Sequence, residues 1–176
     1  MIKRLARVFG VFALLILLLV GCQMLRHSGQ HQLTTPAGDA LRVATYNVHY
    51  IILERETGAW SVGDWERRKG PLNTAFQTLD ADVVAFQEME SFARRSQRDV
   101  NLTLDWLLEN NPDYAAAAVG PAAEFPSTQP ILYRKARLRL VDQGWFFFSK
   151  TPDVIYSRTF NGSFPAFASW AVFDDI

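Results

Sequence analysis

The chain has 176 residues, 49% of them hydrophobic and 20% charged, with a formal net charge of zero. That balance suits one globular domain with a real core, and it excludes both a disordered chain and the strongly basic footprint of a nucleic-acid binder. Action on phosphates stays open, since the positive charge such chemistry needs can come from a bound metal.

Lys3, Arg4 and Arg7 precede an apolar run from Val8 to Val20. A basic start followed by a short apolar stretch describes a secretory signal, and the run is shorter than the roughly 20 residues a membrane-spanning helix needs. It ends Leu19-Val20-Gly21-Cys22, which resembles a bacterial lipobox. Cys22 is the only cysteine, so an intramolecular disulfide is impossible and lipidation has no competitor. Residues 1–22 are therefore expected to be a lipoprotein signal, and the mature protein to be lipid-anchored in a bacterial envelope, facing the periplasm or exterior. The alternative is an uncleaved anchor, because Met24 and Leu25 prolong the apolar run. Residues 23–40 are polar and aperiodic, and they predict a linker. His27 and His31 lie four apart there, but the segment has little to make it helical, so a solvated tether is expected rather than a ligand pair.

Leu41 to Tyr50 is rich in β-branched and aromatic residues and predicts a strand. Leu41, Val43, Thr45 and Asn47 face one way along it, and Arg42, Ala44, Tyr46 and Val48 the other. Residues 51–63 predict a loop. Trp65, Leu72, Phe76 and Leu79 recur at helical spacing. Gly70-Pro71 interrupts them, so a short turn at 64–69 is expected, with the main helix starting near Pro71. Asp82 to Glu88 predicts a strand whose unbroken apolar run implies burial on both faces. Residues 90–98 predict a polar loop, and Asp99 to Asn110 a second helix. A small-residue strand from Tyr114 follows, then a loop, then strands at 131–134, 137–141, 145–148 and 166–173. Helices and strands alternate early and strands dominate later, which is an α+β (α/β sandwich) pattern rather than an all-parallel sheet.

Two residues raise a chemical question. Glu88 ends a buried strand, where a carboxylate is costly unless something pairs with it. A hard divalent cation is one natural partner, and a cap or surface salt bridge is the plainer one. Asn47 lies near the end of the first strand on the side of Leu41 and Val43, where a buried amide needs partners. It either holds a backbone group at a turn or orients a metal-bound water or phosphate oxygen. His49, two residues on, either reaches the same place or pairs inside its own turn. Arg134 and Arg158 are candidate phosphate contacts that are more often solvated. Trp145 to Phe148 is an aromatic run better suited to a core than to base stacking.

Together, Arg42-Val43-Ala44-Thr45-Tyr46-Asn47 and Asp82-Val83-Val84-Ala85-Phe86-Gln87-Glu88 resemble the opening of the endonuclease/exonuclease/phosphatase family. Gln129 to Asp153 is similar to that family's middle strands, and Phe167 to Asp175 to the strand after them. The resemblance covers residues 41–176. It implies the N-terminal half of a four-layer αββα fold. It implies that Glu88 is a ligand of catalytic Mg²⁺ (or Mn²⁺), and that Asn47 shares the catalytic and metal site. Gln87 would support Glu88, and Gln129 would contact substrate phosphate. The implied reaction is attack of water on a phosphate ester, and no protein partner is implied.

The resemblance also has a gap. The family carries a later histidine, a Gly-Asp-x-Asn and a final Asp-His pair. Here the last histidine is His49, and no Gly-Asp-x-Asn occurs. The expectation is a truncated domain over 41–176: a metal-dependent phosphoester hydrolase, incomplete and poorly active as this chain. The alternative is a catalytically inactive envelope lipoprotein that serves as a binding or structural module.

Overall fold

The structure is a computed structural model, and it describes residues 2–27, 33–93, 96–97, 100–126, 128–160 and 164–176. His31 and Asp99, named above, lie outside the described residues. The chain divides into two units, Met1–Thr35 and Pro36–Ile176.

The first unit is one helix, α1, Ile2–His27. Gly21, Cys22, Met24 and Leu25 continue the helix, so the apolar stretch is longer than Val8–Val20 alone. Arg7–Arg26 is 20 residues with mean hydropathy 2.6, long and apolar enough to cross a membrane. By length, then, this segment suits a signal or an anchor equally well. The linker expected over 23–40 begins only after His27.

In the second unit, β1 (Val43–Asn47), β3 (Val83–Gln87), β7 (Ile131–Arg134) and β6 (Tyr114–Ala117) form one sheet in the order β1-β3-β7-β6. β1 and β3 are parallel; the other pairs are antiparallel. A small sheet joins β2 (Ile51–Ile52), β4 (Ser91–Ala93) and β5 (Ser96–Gln97). β8 (Leu138–Phe147) and β9 (Phe167–Asp175) pair as an antiparallel two-stranded sheet. The strands expected at 137–141 and 145–148 are thus one strand, bent by an irregularity at Val141. Gly144 lets it run on, because a Cβ there would collide with the Trp170 indole.

Helices α2 (Val62–Leu79) and α3 (Leu102–Asn110) cover one face of the main sheet. Trp65, Leu72, Phe76 and Leu107 pack there with Val84, Phe86 and Leu132. On the other face, Ile131 and Ala117 meet Leu140, Ala171 and Phe173 of the β8–β9 pair. The result is three layers: helices, sheet, and strand pair. β3 is accordingly asymmetric. Val84 and Phe86 are fully buried, whereas Val83 and Ala85 are only half-buried against the strand pair. Residues Val43 and Thr45 of β1 lie beyond that cover and are exposed.

α2 runs unbroken through Pro71, contrary to the expected start there. Pro71 cannot donate to the Arg67 carbonyl, which weakens the ladder. The first turns survive because they are fixed at both ends. Ser61 caps them by accepting the Asp64 N–H at 3.0 Å, and Trp65 is buried to 3% exposure. The aromatic run divides by strand alternation. Phe147 is buried and Trp145 donates to the Glu124 carbonyl, whereas Phe146 and Phe148 face solvent.

Candidate functional site

The register of β1 and β3 is the origin of the site. Val43 pairs with Val83 and Asn47 with Gln87, so both parallel strands end at one edge. Beyond it the chains kink and then resume pairing in the same register, Ile51 with Ser91. The kinks use left-handed backbone at non-glycine residues: φ is 66° at His49 and 56° at Glu88. Such conformations cost of order 1–3 kcal/mol each and persist only where surrounding contacts hold them.

Those contacts are visible. The Asn47 side chain donates from Nδ2 to Glu88 Oε1 at 3.0 Å. Its Oδ1 accepts the His49 N–H at 3.1 Å. His49 Nδ1 lies 3.5 Å from the second carboxylate oxygen, Glu88 Oε2. The His49 and Glu88 side chains are 49% and 42% exposed, so the group is open to solvent. Arg68 of α2 reaches the turn from below, donating to the carbonyls of Val48 and of His49, the latter at 2.8 Å. Its Nε lies 3.2 Å from Asp64 Oδ2, an ion-pair contact without aligned hydrogen-bond geometry. Burial draws the Arg68 guanidinium down from its ordinary pKa, and Asp64 pushes back. The rings of Tyr50 and Trp60 stack, and the His49 ring tilts against both.

Asn47 and Glu88, forty-one residues apart, are therefore brought into direct contact. The burial expected for Asn47 is corrected: it shares a face with Leu41 and Val43, but that face is the exposed one. Its partners are a carboxylate and a turn N–H rather than a core. Gln87 turns its amide to Thr45 Oγ1, at 2.8 Å, and to the Ala85 carbonyl, so it braces β1 to β3 rather than touching Glu88. Backbone bonds from Phe86 to Pro130 and from Met89 to Thr128 carry the β3–β7 ladder past the named strands. They place Gln129 beside this edge, with its carbonyl accepting from Ser169 Oγ at 2.6 Å. Arg134 is at the other end of the sheet, bound to Asp80 at 2.6 Å and to the Tyr114 hydroxyl at 2.8 Å, where it ties strands together. Arg158 sits in the loop between β8 and β9.

One Asp-x-Asn spacing does occur, at Asp99-Val100-Asn101. Asn101, however, is the N-cap of α3, accepting the Leu104 N–H and donating to the Met89 carbonyl. Its amide is thus committed to structure. Among the described residues no group of three or more His, Cys, Asp and Glu is arranged to hold a metal. The donor set at the edge is Glu88 Oε2, which no side-chain amide occupies, with an imidazole and an amide oxygen beside it. That set fits a divalent cation that keeps several waters.

No family model and no curated protein matches the sequence. Solved structures do resemble the chain, and they define its class: it has the mixed α+β fold of the N-terminal portion of endonuclease/exonuclease/phosphatase proteins. One such structure is an endonuclease/exonuclease/phosphatase from Bacteroides vulgatus, 22% identical, with a TM-score of 0.58 over 77% of this chain and 47% of that one. Another is a mannosyl-6-phosphatase from Bacteroides thetaiotaomicron, 26% identical, with a TM-score of 0.58 over 77% and 46%. A third, an endonuclease/exonuclease/phosphatase family protein of the same organism, is 26% identical with a TM-score of 0.57 over 77% and 45%. The chain thus spans less than half the length of the structures it matches.

Proposed function

We propose that this chain carries the cation-gripping part of a phosphoester hydrolase and is held at a bacterial envelope by its N-terminal segment. The observation that carries the proposal is the 3.0 Å contact between Asn47 and Glu88 at the shared end of β1 and β3. Asn47 occupies one carboxylate oxygen and leaves Oε2 as the atom that would hold an Mg²⁺ or Mn²⁺ ion. Gln87 and Thr45 fix the two strands relative to each other, and Arg68 fixes the turn that follows Asn47. The open position of Glu88 leaves room for a phosphate-ester substrate, with Gln129 on the adjacent rim as a phosphate contact. When bound, the cation polarises phosphoryl oxygens and stabilises the leaving oxygen. One structural neighbour is a mannosyl-6-phosphatase, so sugar phosphates belong in the substrate panel. Cys22, inside α1, is the lipidation site, and its lipid supplies the tether once the signal residues before it are removed.

The test is cation-dependent stability of the full chain in detergent micelles. At 10 mM Mg²⁺ and a Kd near 1 mM, binding to the native state adds about 1.4 kcal/mol of stability. Glu88→Ala is expected to abolish that increment. If neither Mg²⁺ nor Mn²⁺ at millimolar concentration shifts the unfolding transition, the hydrolase reading fails and an inactive envelope binding module takes its place.

A further inference from the structure

Glu88 Oε2 is the atom proposed above to hold the cation, with Asn47 fixing its carboxylate, and a second donor faces the same oxygen. We propose that His49 is a direct metal ligand, and that it makes the site selective for a first-row transition cation (Mn²⁺, Co²⁺ or Zn²⁺) over Mg²⁺. This inference rests on the reading of Glu88 as a metal ligand and adds the identity of the cation.

Three observations carry it. First, Glu88 Oε2 and His49 Nδ1 are 3.5 Å apart. Two donors at that separation, each about 2.1 Å from a common ion, subtend an angle of about 110°, as in tetrahedral and distorted octahedral sites. Second, two of the neighbouring polar atoms already have another partner. Glu88 Oε1 is taken by Asn47 Nδ2, and the His49 N–H by Asn47 Oδ1. Asn47 therefore sets both ligands in place, leaving Oε2 and Nδ1 to share whatever lies between them. Third, the two proposed ligands are the residues with left-handed backbone in the paired kinks, at φ 66° and 56°. Neither is glycine. Without those kinks β1 and β3 would run straight on into β2 and β4, whose register is already matched.

The His49 ring is also held in position. It tilts against Tyr50 and Trp60 with centroid distances of 5.9 and 5.6 Å, and Arg68 holds its backbone carbonyl. Imidazole nitrogen is a poor ligand for Mg²⁺, which prefers oxygen, and a good one for Mn²⁺, Co²⁺ and Zn²⁺. A Glu–His pair supplemented by water and substrate oxygens therefore discriminates by donor type rather than by cavity size.

The experiment uses the full chain in micelles with His27→Gln and His31→Gln, so that His49 is the remaining imidazole. Mg²⁺, Mn²⁺ and Co²⁺ are titrated separately and followed by the thermal midpoint. Imidazole proton resonances are also recorded with Co²⁺. The expected result is tighter binding of Mn²⁺ and Co²⁺ than of Mg²⁺, with a Co²⁺-induced paramagnetic shift at His49. His49→Gln should then weaken Co²⁺ and Mn²⁺ by at least the roughly 10- to 100-fold that loss of a residue supporting a ligand costs, while leaving Mg²⁺ affinity within about twofold, because Mg²⁺ makes little use of the imidazole. Circular dichroism checks that the variant folds. If His49→Gln changes all three cations alike or not at all, while Glu88→Gln still abolishes binding, the His49 assignment is overturned and the hydrolase reading stands. If Glu88→Gln leaves binding intact, both fall.

Discussion

Replacing Arg68 with methionine tests whether α2 holds the site turn in place. The Arg68 guanidinium donates to the Val48 and His49 carbonyls, and its contact to the Tyr50 carbonyl, at 3.5 Å, is at the limit of a hydrogen bond. Methionine keeps the length of the stem but removes the guanidinium that sits over the Trp65 ring, 5.4 Å from its centroid. Two charge-assisted bonds at about 1.5 kcal/mol each sum to about 3 kcal/mol. Relief of the desolvation that lowers the Arg68 pKa returns part of this, leaving a net loss of about 2–3 kcal/mol. In a domain of this size that is a drop of about 10 °C in Tm. Urea denaturation followed by tryptophan fluorescence measures it, with Arg68→Lys as the intermediate case, because one ammonium cannot span two carbonyls as the planar fork does. The left-handed His49 backbone should relax in the variant, so cation affinity should fall along with stability. An Arg68→Met protein within about 0.5 kcal/mol of wild type would show that water satisfies these carbonyls and that the turn supports itself.

Gly144→Ala should destabilise the β8–β9 pair by about 1–3 kcal/mol, because the new methyl meets the Trp170 indole; Trp170→Ala in the same chain should recover most of the loss in a thermal melt. At the start of β8, Arg137 binds Asp175 at 2.7 Å and holds its carboxyl below the ordinary value through that hydrogen bond. The pair is complete above the ordinary carboxylate pKa and is lost as pH falls through the lower folded pKa. Carboxyl-carbon NMR should find the Asp175 midpoint raised in Arg137→Met, and an unchanged midpoint would reject the pairing. Expressed in a bacterium, the chain should carry a lipid-sized mass increment and partition with membranes, and Cys22→Ser should lose the increment; identical masses would exclude lipidation.

Composition and periodicity revealed the strands around residues 43–47, 83–87 and 131–134, the helix at 102–110 and the apolar N-terminal segment, because each is a local pattern of side chains. The motif ending at Glu88 also marked that residue before any geometry was known. Local pattern misled where a distant contact outweighed it: Ser61 and the burial of Trp65 sustain α2 through Pro71, and the β8–β9 pairing joins two short strands into one. The side of β1 that faces solvent was likewise decided by which face the helices cover, since alternation assigns residues to two faces without saying which is inside. Above all, the meeting of Asn47, His49 and Glu88 depends on the parallel register of two strands about forty residues apart and on a kink in each. No nearest-neighbour property of the sequence encodes that proximity; the sheet creates it, and the turn held by Arg68 keeps it.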